Sequence, residues 1–167
     1  MPCSSVPLVL LAFASLPLFA AEGDEPSTQQ VMQEHKAVIQ NRIADIDYRR
    51  KQIVEANMAL SVQEGEAFWP IYNSYRTEVD KLSKDAIALL LDYARAYGQG
   101  SVNDENAAQL QERLLGLRKD QLELKEKYAK RIAKEVSPRR SLRFLQIEDQ
   151  LDAISLLANT SDVPLVE

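Results

Sequence analysis

Leu60-Ser61-Val62-Gln63-Glu64-Gly65-Glu66-Ala67-Phe68-Trp69-Pro70-Ile71-Tyr72 opens the segment on which the fold turns, and the segment runs on to Tyr97. Along it Phe68, Tyr72, Tyr75, Val79, Leu82, Ala86, Leu89, Tyr93 and Ala96 recur at alternating four- and three-residue steps. That spacing holds one apolar seam on one side of a helix of about ten turns. Ser61 is placed to cap the first turn, and Glu64, three residues on, completes a capping box. Gly98-Gln99-Gly100 closes the helix, because glycine accepts the left-handed conformations in which helices end. A helix this long cannot bury its seam against itself, so the flanking chain must supply partners.

On the N-terminal side no Pro or Gly interrupts Thr28 to Asn57, and Val31, Val38, Ile39, Ile43, Ile46, Ile53 and Val54 fall at helical spacing. This predicts a single first helix of about 28 residues. Its Arg49-Arg50-Lys51 run reads as a solvated face, with a contact for an acidic partner as the alternative. On the C-terminal side Asn103 or Asp104 caps a third helix that reaches Glu135. Its seam is Ala107, Leu110, Leu114, Leu117, Leu124, Tyr128 and Ile132, widened by Leu115 and Leu122. Glu123–Lys127 and Glu126–Lys130 are spaced for ion pairs along its surface. Val136-Ser137-Pro138 starts a fourth helix, with Ser137 as cap and Pro138 in the first helical position, continuing through Phe144, Ile147, Leu151, Ile154 and Ala158. No segment alternates as a strand does. The expectation is an all-α fold of four helices in two antiparallel hairpins, elongated and able to bow, with a homodimer as a natural cover for leftover apolar surface.

The first residues stand apart from this fold. Val6 to Phe19 is apolar and is followed by Ala20-Ala21 and an acidic Glu22-Gly23-Asp24-Glu25. The run is short for a membrane span, which needs about 20 apolar residues, and its small-residue exit resembles the end of a secretory signal. The domain map is therefore a signal peptide over 1–21 cleaved near Ala20 or Ala21, a leader over 22–28, one helical domain over 29–158 and a tail over 159–167. An uncleaved anchor is the alternative. Cys3, the only cysteine, precedes the apolar run, so the mature chain would have none. An exported, disulfide-free helical protein with no membrane span after cleavage suits a bacterial periplasm. A formal charge of −5, with 25 acidic against 20 basic residues, argues against a nucleic-acid partner, whose phosphates call for a basic face.

Chemistry-bearing patterns are few. His35 is the only histidine, and there is no His pair, calcium loop, nucleophile elbow or phosphate-cradling glycine loop. No metal, cofactor or enzymatic activity is expected. Pro70 inside the central helix removes a backbone donor and predicts a bend, and aromatic residues crowd around it. Phe68, Tyr72 and Tyr75 share one face, whereas Trp69 and Ile71 point away from it. Either a second helix layer covers those two, or the group forms an apolar surface for another protein. Phe68, Trp69, Ile71, Tyr72 and Tyr75 are thus the candidate partner-binding residues.

Leu60-Ser61-Val62-Gln63-Glu64 resembles the Leu-Thr-x-x-Gln motif of the Spy/CpxP family of periplasmic helical proteins, with Ser61 and Glu64 as conservative replacements. Phe68-Trp69-Pro70-Ile71-Tyr72 with Tyr75 resembles a branch of small exported proteins attached to that group. Val136-Ser137-Pro138 is similar to a degenerate second motif, and Leu142 to Ile147 to the opening of that branch's last helix. The resemblance spans roughly residues 30 to 158. It implies a cradle-shaped antiparallel dimer whose members bind unfolded or envelope proteins as ATP-independent chaperones, engage a stress-sensor domain as adaptors, or sense metal stress. The absence of histidine pairs departs from the metal sensors, and the negative charge departs from the basic cradle of the chaperones. A structural coiled-coil spacer or assembly factor with one fixed partner is the alternative function.

Overall fold

The computed structural model describes residues 26–159, less the side chains of 157–159, and residues 164–166. The expected signal peptide over 1–21, its cleavage near Ala20 or Ala21, Cys3 and most of the leader lie outside the described residues, as does most of the tail. Among the described residues every regular element is an α-helix: α1 Thr28–Glu34, α2 Lys36–Met58, α3 Val62–Gly98, α4 Asp104–Glu135 and α5 Pro138–Asn159.

The central stretch behaves as its spacing predicts. The Ser61 side chain accepts from the Glu64 backbone at 3.3 Å, and the Glu64 carboxylate accepts from the Ser61 backbone at 2.8 Å, closing the capping box. The helix continues through Pro70 without interruption for 37 residues, about 55 Å at 1.5 Å per residue. Asn103 caps α4 by accepting from Asn106 N at 2.9 Å, and Ser137 accepts from Arg140 N at 3.2 Å ahead of Pro138. Gly100, at φ 61°, makes the left-handed turn out of α3. The same conformation occurs at Ala59, φ 51°, where α2 ends without glycine.

The single first helix is corrected to two. His35 adopts φ −94° and ψ 13°, and α1 and α2 meet there. The hydrogen-bond ladder nearly survives, since His35 N donates to Val31 O and Ile39 N to His35 O, both at 3.0 Å. The junction is therefore a bend in dihedral angles rather than a loop. Tertiary contacts lie on its far side: the Thr28 hydroxyl bonds the Asp92 carboxylate, and Arg95 Nη2 donates to Pro26 O at 2.5 Å.

The pairs α3–α4, α4–α5 and α5–α2 run antiparallel, because along each pair one residue number falls as the other rises. Glu78–Lys127 and Asp92–Arg113 join α3 to α4, which is the most extensive helix contact. Ser141 donates to Ala129 O and Lys125 pairs with Asp149, joining α4 to α5. Arg143 donates to Asn57 O and Arg50 pairs with Asp152, joining α5 to α2. The C-terminal part of α2, the first half of α3, the last part of α4 and α5 thus surround one core. Val54, Met58, Phe68, Tyr72, Ile132 and Phe144 are fully enclosed there.

Two surface expectations change. Arg50 is not on a solvated face but buried. Lys127 pairs across to Glu78 at 2.8 Å, leaving Glu123 with Lys119 at 3.7 Å, while the expected Glu126–Lys130 pair forms at 2.5 Å.

Candidate functional site

The five aromatic and apolar residues singled out around Pro70 are brought together, but mostly inward. Phe68, Ile71, Tyr72 and Tyr75 are buried, and only Trp69 keeps part of its surface exposed. An exposed patch built from all five is corrected to a core in which one member reaches solvent. The physical reason is that α3 has neighbours on more than one side. Phe144 of α5 meets Tyr75 edge-on at 5.2 Å between ring centres, and Tyr128 of α4 meets it at 5.5 Å. Phe68 stacks on Tyr72 at 5.6 Å, and Trp69 stands edge-on to both.

Below these rings lies a group of charges that the sequence did not announce. Glu148 has no exposed surface. Its carboxylate accepts from Arg50 Nη2 at 2.8 Å, from the Tyr72 hydroxyl at 3.1 Å and from the Tyr75 hydroxyl at 3.2 Å, with Arg76 Nη1 at 3.7 Å. Arg76 also bonds Asp47, and Arg50 reaches Asp152 at 2.7 Å, which in turn pairs with Lys125. One chain of charges therefore links α2, α3, α4 and α5 at a single level. Burial opposes the charge on Arg50, but Glu148 and Asp152 outweigh it and raise its pKa; burial is likewise overcome at Arg76 by Asp47 and Glu148. Burial first, and the Glu148 charge second, push both tyrosine hydroxyls well above their ordinary range.

Glu148 could have been noticed: it is four residues after Phe144 and three before Leu151, on the apolar face of α5. Arg76 likewise follows Tyr72 by four. A charged residue in an apolar stripe signals burial with a partner, but the partners come from other helices and spacing does not identify them.

At the start of α3 a second tie crosses the bundle. Arg140 donates from Nε and Nη2 to the two Glu64 oxygens, each at 2.9 Å, and from Nη1 to Met58 O at 3.0 Å. The Arg140 hydrogen bonds, followed by that from the Ser61 backbone, hold the Glu64 carboxyl down at about 2. The capping box is therefore also an anchor for α5.

Two open grooves flank the α2–α3 pair. One, of about 410 Å³, is lined by Gln40, Ile43, Ala44, Asp47, Asp80 and Lys84. In it one Asp80 oxygen is buried without a hydrogen-bond partner. Burial and then the adjacent Asp47 carboxyl push Asp80 from 3.8 up to about 6. The other groove, of about 450 Å³, lies where α2 turns into α3 and has Trp69 as a wall. Lys51 Nζ sits 5.5 Å above the indole.

A different kind of surface lies on α4. Leu115 and Leu122, 56% and 67% exposed, are seven residues apart and share one face, with Arg118 and Lys119 between them. Leu114 is exposed nearby. No group of three or more His, Cys, Asp or Glu side chains is gathered as a metal site among the described residues, and no helix among them is long and apolar enough to cross a membrane. Comparisons of the chain with models of known protein families, with curated proteins and with solved structures find no match.

Proposed function

We propose that this is an exported helical protein that binds other polypeptides through weak apolar contacts, as an ATP-independent chaperone or an envelope-stress adaptor of the Spy/CpxP kind. The observation that carries the reading is the leucine face of α4. Leu115 and Leu122 stand largely in water, between charges of both signs supplied by Arg118, Lys119 and Glu123. Apolar side chains repeated along a helix and bordered by charge are the chemistry of a partner-binding surface. Mixing the two permits association with many sequences without locking one in place. The resemblance at Leu60 to Glu64 and the apolar N-terminal run support the family and the periplasmic location in the same proposal. The buried aromatic group then serves as the frame of the bundle, and the binding role passes to residues left outside it.

The test is direct binding of a permanently unfolded, fluorescently labelled polypeptide, followed by anisotropy. The parent protein binds without ATP, and replacing Leu115 and Leu122 by serine weakens binding about tenfold, as loss of two apolar contacts should. Unchanged binding in that variant would remove the α4 face from the proposal. Absence of binding in the parent, together with one tight cross-linked partner, would point instead to a spacer or assembly factor.

A further inference from the structure

Trp69 is the one member of the aromatic group that the bundle leaves accessible, and it walls an open groove. It is also the only tryptophan in the chain. Gly65 lies one helical turn before it. A Cβ placed at Gly65 would come within 3.6 Å of the indole Nε1 and 3.7 Å of Cδ1. Any longer side chain there would cover the N–H edge of the ring. Glycine inside a helix costs about 1 kcal/mol relative to alanine, so this position weakens α3 while keeping the indole edge bare. Among the described residues the indole N–H has no hydrogen-bond partner.

Around that edge the groove offers two further kinds of contact. Leu60 and Val62 supply apolar surface, and Val62 is 82% exposed. Glu55 on α2 and Glu66 on α3 both line the groove, and neither carboxylate makes an ion pair among the described residues. The nearby carboxylate of Glu64 is already taken by Arg140, and Lys51, over the indole face, offsets one of the two remaining negative charges. The free charge in the groove is therefore negative, in a molecule that is also negative overall.

We infer that the Trp69 groove binds an extended polypeptide segment in which an apolar side chain neighbours a lysine or arginine. A backbone carbonyl of that segment accepts the indole N–H, the apolar side chain lies against Leu60 and Val62, and the cation pairs with Glu55 and Glu66. The charge sign favours a basic segment over an acidic one. This rests on the proposed polypeptide binding and adds to it a second contact with a sequence preference, separate from the leucine face of α4.

The sole tryptophan makes the test direct. The purified protein is titrated with an unstructured peptide of repeating glycine, leucine and lysine, and with its counterpart carrying glutamate for lysine, while Trp69 emission is followed. The lysine peptide should shift the emission saturably and the glutamate peptide should not. Changing Glu55→Gln together with Glu66→Gln should weaken binding about three- to tenfold, the range expected for exposed ion pairs. Gly65→Leu should abolish the shift while leaving the melting temperature equal or higher, the reverse of what a merely structural glycine would give. Equal binding of both peptides, no shift with the lysine peptide, or full binding by the Gly65→Leu variant, its unliganded emission serving as its own baseline, would overturn the assignment. Anisotropy with the permanently unfolded polypeptide, run in parallel, separates the two proposals. If that polypeptide binds while Trp69 stays silent to the lysine peptide, the groove is wrong and the wider reading stands. If neither ligand binds, both fall.

Discussion

Replacing Glu148 by alanine would leave the Arg50 and Arg76 guanidiniums in the core without the anion they share, and the Tyr72 and Tyr75 hydroxyls without an acceptor. Breaking a buried pair from one side costs about 3–5 kcal/mol, and urea denaturation of Glu148→Ala should show a loss of that size. Glu148→Gln should cost less, because an amide oxygen still accepts from the hydroxyls. Asp80 gives a pH dependence of known sign. Its folded pKa of about 6 lies above the usual 3.8, so the stability it contributes is full below about pH 4 and is lost as pH rises through 6. Because Asp80 is partly exposed, the loss should be about 1 kcal/mol after solvent screening. Asp80→Asn should flatten that part of the stability profile measured between pH 4 and pH 8; an unchanged slope would show that another group is responsible. At this scale the sequence was legible where chemistry is local: Ser61 and Glu64 cap as their spacing implies. Arg50 was not legible, because it stands beside Arg49 and Lys51 in a run that reads as surface. Only the arrival of Glu148 from ninety-eight positions away turns it inward.

The element boundaries were readable for the same reason as the caps. Asp104 to Glu135 is the same span in both readings, since Asn103 before it and the Ser137–Pro138 start after it are signals carried by a few adjacent residues. The bend at His35 has no such signal: neither glycine nor proline is present, and the contacts beyond it, Thr28 with Asp92 and Arg95 with Pro26, are tertiary. The turn between α2 and α3 contains a correctable defect. Ala59 holds φ 51°, a conformation in which its Cβ is disfavoured and glycine is at ease. Ala59→Gly should therefore raise stability by about 0.5–1 kcal/mol in thermal or urea unfolding, although glycine normally weakens a helix. A loss of stability would mean that Ala59 packs in a way that its exposed position does not suggest. The seams themselves were only half informative. Val54 and Leu124 are buried as periodicity implies, but Val38, Ile46 and Ile154 belong to the same stripes and remain exposed. Periodicity marks the apolar face of a helix, not how far its neighbours extend along it.

Across the whole molecule the difference between the two ends connects structure to proposed function. Where α2, α3, α4 and α5 run together, Glu148, Arg50 and Arg76 are enclosed and the rings of Phe68, Tyr72 and Phe144 fill the core. Outside that core, apolar residues of the same helices face water, among them Leu115 on α4, half a turn round the helix from buried Leu124, and Val38 on α2. An all-α architecture was evident from unbroken helical spacing and the lack of alternation. The distribution of cover was not, because it depends on which face of each helix the neighbouring helices reach. That distribution moved the expected binding surface away from Phe68, Ile71, Tyr72 and Tyr75, leaving Trp69 at one groove and the leucines of α4 among the accessible apolar groups. The most direct measurement is light scattering from a chemically denatured model protein diluted with and without this protein, in the absence of ATP. Polypeptide binding requires aggregation to be suppressed near equal molar amounts, and to return when Leu115 and Leu122 are replaced by serine. Undiminished aggregation in the presence of the folded, helical parent would contradict it.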